Sequence, residues 1–223
     1  MSRFPPAPES LWPARLALVS VIGLNLSLNE ALTAGPTWLL PALETVLLLP
    51  LSVLRSRERH HVIHRRQRPE LAQPVRLLAL GLIAVLYLTN LVSLGLLITG
   101  LLNGSGPAAA GLLAGALNIW VTNVLVFSLW YWELDQGGPL RRGQPGTMLD
   151  FAFPQTTLPQ LAPSGWRPEY LDYLFVAFTN AAAFSPTDTL PLSRRVKGLM
   201  TVQAATSMLT VVLVASRAVN ILK

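Results

Sequence analysis

Five long apolar runs alternate with short polar stretches along the chain: Arg15 to Leu32, Trp38 to Leu54, Leu77 to Leu102, Ala108 to Trp130 and Gly198 to Leu222. A bilayer-spanning helix needs about 20 mostly apolar residues in a row, so the pattern predicts five transmembrane helices. The second run is interrupted by Pro41, Glu44 and Pro50. Proline inside a span is tolerated where neighbouring helices satisfy the freed carbonyls, which predicts that this helix packs inside the bundle. A sixth apolar run, Asp172 to Phe184, is too short to cross. It leads into Ser185-Pro186-Thr187-Asp188-Thr189-Leu190-Pro191 and then into the last long run. Irregular backbone survives at membrane depth only when it is buried in protein or lines a water-filled cavity. The expected fold is therefore all-α integral membrane, with five transmembrane helices plus a re-entrant pore helix and loop before the last helix. Three regions follow: a four-helix part over residues 1–130 with a basic loop at 55–76, a Pro-rich interfacial loop at 131–170, and a pore-helix, loop and inner-helix unit at 171–223.

Composition supports the membrane class. Hydrophobic residues make up 52% of the 223 and charged residues only 13%, about half the charged share of a soluble domain. The net charge of +6 would suggest nucleic acid in a soluble protein, but here the charge is placed by topology and no nucleic-acid partner is expected. Arg55, Arg57, Arg59, Arg65, Arg66, Arg68 and Arg76 lie between the second and third runs, and short basic loops face the cytoplasm. Parity then puts the N-terminus inside, and all but Arg217 and Lys223 of the 17 Lys and Arg residues on the same side. Of these, Arg55, Arg57, Arg59, Arg65, Arg66 and Arg68 are expected to meet lipid headgroups. Trp130, Tyr131 and Trp132, at the end of the fourth run, suit the interfacial layer. The chain is expected to sit in the cell inner membrane, N-terminus cytoplasmic and C-terminus periplasmic.

Candidate chemistry is sparse. There are no cysteines, so thiolate catalysis and cysteine metal sites are excluded. His60, His61 and His64 sit among arginines, which would repel a cation. No Ser-His-Asp set, phosphate-binding glycine loop or HExxH is present; neither an enzyme nor a cofactor is expected. Glu44 is an intramembrane carboxylate and a candidate ion or proton site, with Arg15 or Arg217 as partner. Asn90, Asn118 and Asn123 suit interhelical hydrogen bonds. Gly111 and Gly115 form a GxxxG spacing that lets helices approach closely. Glu133 and Asp135 are expected to pair with Arg141 and Arg142. Asp188 suits either a filter carboxylate or an N-cap of the last helix.

The segment from Asp172 to Leu222 resembles the pore-helix, filter and inner-helix unit of the potassium-channel superfamily. Asp172 matches the opening Asp, Phe175 and Phe178 the pore-helix aromatics, Asp188 the filter Asp, and Pro191 the proline three residues later. Lys197 falls on a frequent basic position. Gln203 falls where many members carry Glu, and Ser207 near the gating-hinge Gly. The filter itself departs: Ala183-Phe184-Ser185-Pro186-Thr187 stands where the family has T-V-G-Y-G. Side chains with a Cβ resist the conformations that its carbonyl ladder needs. The resemblance thus implies an oligomeric, tetrameric pore lined by Phe184, Ser185, Pro186, Thr187 and Asp188, passing an inorganic cation with weak selectivity. A non-conducting scaffold and a small ion- or proton-coupled transporter are the alternatives. The second half is also similar to uncharacterised bacterial inner-membrane proteins that combine W-Y-W-E, F-S-P-T-D and R-A-V-N-I-L, here Trp130 to Glu133, Phe184 to Asp188 and Arg217 to Leu222.

Overall fold

A computed structural model describes residues 9–63, 69–103, 109–143, 146–183 and 188–221, with the side chains of 57–63, 69–72, 109, 161 and 217–221 excepted. Among the described residues the chain forms α1 (Trp12–Ser27), α2 (Leu39–Ile63), α3 (Pro69–Asn103), α4 (Ala109–Leu134), α5 (Pro154–Thr157), α6 (Tyr170–Ala182) and α7 (Arg194–Ile221). One short antiparallel ladder joins β1 (Phe151–Ala152) to β2 (Leu190–Pro191). Among the described residues, four helices are long and apolar enough to cross a membrane, over Leu39–Ser56, Gln73–Asn103, Ala110–Gly137 and Arg194–Ser216.

Centrality is unequal. The span window of α4 is 61% buried and that of α2 only 22%, because α4 packs against α1, α3, α6 and α7 together. The expectation that proline places α2 inside the bundle is overturned: α2 runs through Pro50 at the periphery. A proline there forfeits one backbone bond, and the neighbouring turn is bolstered by Thr45 Oγ1 donating to the Pro41 carbonyl at 2.7 Å. The first apolar run is also shorter than expected. Its helix has 16 residues, about 24 Å at 1.5 Å per residue, against a hydrocarbon core of about 30 Å. Leu32 belongs instead to a separate 3₁₀ turn, Glu30–Leu32. The basic loop is largely helical as well, since α2 continues to Ile63 and α3 begins at Pro69.

Side-chain pairings fix the relative directions of the last helices. Tyr170 contacts Ser128 and Trp132, while Phe178 meets Trp120, so α6 runs antiparallel to α4 from the latter's C-terminal end. Arg195 bonds Asp150 at that same end, Gln203 lies level with Tyr131, and Leu213 and Val214 pack near Leu112 and Ala116. Helix α7 therefore also descends along α4. The chain leaves Ala182 partway down α4 and is back at the starting end by Leu190, where it pairs with Ala152.

Helix α6 is amphipathic by spacing. Tyr170, Tyr173, Val176, Ala177, Asn180 and Ala181 form one buried face, and Leu171, Phe175 and Phe178 point outward. Its first turn is closed by a capping box, in which the Glu169 N–H donates to Asp172 at 2.7 Å.

Candidate functional site

Two polar clusters follow from this packing, one at the basic end of the bundle and one inside it. The basic end is organised by the residues that close α4. Trp130, Tyr131 and Trp132 were expected in the headgroup layer, yet Tyr131 and Trp132 are buried. Here α4 is covered on all sides, so its terminal aromatics become core. The exposed tryptophans are Trp12 and Trp38, which sit at opposite ends of the bundle.

Arginines at this end are paired in ways that spacing along the chain did not predict. Glu133 bonds Arg55, 78 positions earlier, and not Arg141 or Arg142. The Arg55 guanidinium also lies over the Trp132 ring at 5.0 Å. Arg142 pairs with Glu9 at 2.5 Å, donates to the Trp132 and Pro168 carbonyls, and rests 4.8 Å over Tyr173. Glu9 accepts from Trp132 Nε1 at 2.6 Å and from the Tyr170 N–H at 3.0 Å. Burial holds the Glu9 carboxyl above its ordinary range despite the opposing pull of Arg142. Burial likewise raises Asp172, against the hydrogen bond from Glu169. Asp135 accepts from Tyr173 Oη at 2.6 Å and from the Asp150 N–H at 2.9 Å. Asp150 receives both arms of Arg195, at 2.9 and 2.5 Å. The chain thus ties the β1 region, α4, α6 and α7 together at one level. Gln136, Gly137 and Gly138 adopt positive φ to make the turn after α4; a Cβ on Gly138 would come within 3.3 Å of Glu133, so glycine is required there.

The interior cluster centres on Gln203. Its Oε1 accepts from Tyr131 Oη at 2.6 Å and Asn180 Nδ2 at 2.8 Å, and its Nε2 donates to the Ala177 carbonyl at 2.8 Å. Ser207, one turn on, accepts from Asn123 Nδ2 at 2.8 Å, and Tyr87 Oη hydrogen-bonds Thr206 Oγ1 at 3.2 Å. Gln203, Thr206, Ser207 and Thr210 are all buried, whereas Val202, Leu209 and Val212 of α7 are exposed. The polar face of α7 is spent inside the bundle.

Other anticipated residues fall as follows. Glu44 is fully buried, accepts from Asn25 Nδ2 at 2.8 Å, and its Oε2 has no hydrogen-bond partner. Arg15 is not its partner: that side chain reaches Ser52 and Ser56, about two to three turns from Glu44 along α2. Asn118 bonds the Leu24 carbonyl and Ser27 of α1, Asn123 reaches α7, and the Asn90 amide nitrogen has no partner. Gly115 accommodates Leu32 rather than a second helix. Asp188 is exposed in a turn. Phe184, Ser185, Pro186, Thr187, Arg65, Arg66, Arg68, His64, and the side chains of Arg57, Arg59, His60, His61 and Arg217, lie outside the described residues.

Glu9 and Asp150 were not singled out in the sequence. Glu9 is the sole acidic residue ahead of α1, which was the one available signal. No family model matches the chain, and no curated protein or solved structure matches it either.

Proposed function

We propose that this protein is an oligomeric, pore-loop-type membrane channel of weak cation selectivity. The observation that carries the reading is the course of the chain around α6. A 13-residue helix, about 20 Å long, descends beside the central α4 and the chain is back at its starting level by β2. A short helix followed by a return of the chain beside a full-length span fits a re-entrant loop, and such loops face protein or water. Asp188 would supply a carboxylate ring to the narrow part. One loop is a fraction of a filter, so the reading requires several copies around an axis, four by the resemblance noted above.

The outward residues suit that assembly. Phe175 and Phe178 on α6 and Val202, Leu209 and Val212 on α7 are exposed and apolar enough to meet neighbouring copies or lipid. Because Gln203 and Ser207 bond within the protomer, selectivity rests on the loop and not on the inner helix; an apolar α7 lining would act as a hydrophobic constriction. By the positive-inside rule the basic end faces the cytoplasm, and the loop enters from there.

Reconstitution into planar bilayers tests the proposal. Wild type should pass cation currents, and Asp188→Ala should reduce unitary conductance and cation preference severalfold. Currents unchanged by Asp188→Ala remove that ring from the path, and silence of the wild type under all conditions favours a non-conducting scaffold.

The orphan oxygen of Glu44 favours a second reading, a proton- or ion-coupled transporter. Intramembrane carboxylates with incomplete pairing commonly carry the transported charge. Proton uptake by proteoliposomes, abolished by Glu44→Gln while bilayer currents stay absent, would decide for it.

A further inference from the structure

We propose that a cleft at the basic end binds a phosphate-bearing anion. The cleft lies where α2 and α3 meet the end of α4 and is open to solvent, lined chiefly by Arg55, Arg76, Glu133, Arg141 and the turn through Gly137 and Gly138. Three guanidinium groups face one carboxylate there, a formal excess of two positive charges. Glu133 is already engaged by Arg55, which the Trp132 ring holds from the other side. Arg76 has a buried Nε with no hydrogen-bond partner. Neither Arg76 nor Arg141 has a carboxylate partner among the described residues.

A buried guanidinium N–H without an acceptor is costly. An anion with several oxygens removes that cost at Arg76 and meets the exposed Arg141 at the same time. Planar guanidinium forks match phosphate oxygens in pairs, which a compact halide or a single carboxylate does not do as completely. The stem of Arg141 lies along Gly137, which keeps that side chain at the rim. Glu133 sets the other limit of the site, since its charge excludes a ligand from the Arg55 end and directs it towards Arg76 and Arg141. The same chemistry is offered by an anionic lipid headgroup or by free phosphate. The inference is independent of whether the α6 loop conducts.

Native mass spectrometry of the detergent-purified full chain tests it, titrated separately with phosphatidylglycerol, phosphatidylcholine and inorganic phosphate. Wild type should take up phosphatidylglycerol at one saturable site in preference to phosphatidylcholine, whose attached cation cancels the charge. Arg76→Gln and Arg141→Gln should each weaken that binding about tenfold, and the exposed Arg194→Gln should leave it unchanged. Phosphate that displaces the lipid through the same two arginines assigns the site to a free anion; lipid binding indifferent to phosphate assigns it to the headgroup. Equal uptake of the two lipids by wild type, or an equal loss in Arg194→Gln, would overturn the proposal. The comparison of lipids on wild type needs no variant, so it stands even if Arg76→Gln fails to fold.

Discussion

Glu9 shows how a single side chain can decide an anchor. It gathers Arg142, the Trp132 indole and the Tyr170 backbone at one point, and so fastens the segment before α1 to the junction of α4 and α6. Removing a carboxylate and a guanidinium from water can cost more than their attraction returns, which is why burial lifts the Glu9 carboxyl above its usual value of 4.5. The folded protein then takes up a proton before the unfolded chain does. Stabilisation from this group is complete below about pH 4.5 and lost as pH rises through the elevated folded value. Glu9→Gln removes that dependence. The stability difference, wild type minus variant, should favour wild type more at about pH 4.5 than at about pH 8, as read by thermal unfolding in detergent. A difference that moves the other way would mean that the ion pair with Arg142 outweighs desolvation.

Among the elements, α6 depends most on its neighbours. An isolated helix of that length is marginal in water, and it holds its place through one apolar face and through Gln203 of α7. Gln203→Leu keeps the volume but strands Tyr131 Oη and one bond of Asn180, leaving Ala177 without its donor. Each buried polar group left unpaired costs about 1–3 kcal/mol, so the variant should lose about 3 kcal/mol. Protection of α6 amides in hydrogen exchange should fall further than that of α3. Uniform loss across all helices would show that Gln203 supports the bundle at large and not this junction. A short helix before α7 was legible, because its apolar run is too short to cross; which face it buries was not. The polar face of α7 was not, since Gln203 and Ser207 could equally have faced a pore or a neighbouring helix.

At the scale of the whole molecule, charge is polarised along the bundle. Arg15, Arg55, Arg76, Arg141, Arg142 and Arg195 converge on the end where α2 finishes, α4 finishes and α7 begins. The 3₁₀ turn at Glu30–Leu32 packs at the other end, against α3 and Gly115. With no native cysteine, single substitutions can report sidedness. Ala34→Cys and Ser164→Cys, both exposed, should label from opposite faces of intact cells, Ala34→Cys from outside and Ser164→Cys only after permeabilisation. Labelling of Ser164→Cys from outside would reverse the orientation on which the proposed cytoplasmic entry of the loop depends. Labelling of both from one face would rule out the span arrangement altogether.

What the amino-acid sequence determined by itself is the solvent and the places of the longest apolar helices. Long apolar runs, scarce charge and arginines bunched between runs are local properties, and the cost of exposing backbone or charge to hydrocarbon acts on each segment separately. The four long apolar helices and the short apolar helix before the last of them were therefore readable, although a fifth span was expected at α1. Tertiary structure decided which helix is central and which partner each charge takes. Proline argued for an interior α2, but burial depends on how many neighbours surround a helix, and α4 has most of them. Nearby charges argued for Glu133 with Arg141 or Arg142, but in a bundle the partner at the same height comes from another helix, so Arg55 takes Glu133 and Glu9 takes Arg142. Sequence distance sets charge pairing only along one helix face; between helices it is set by register, which exists only once the helices have packed.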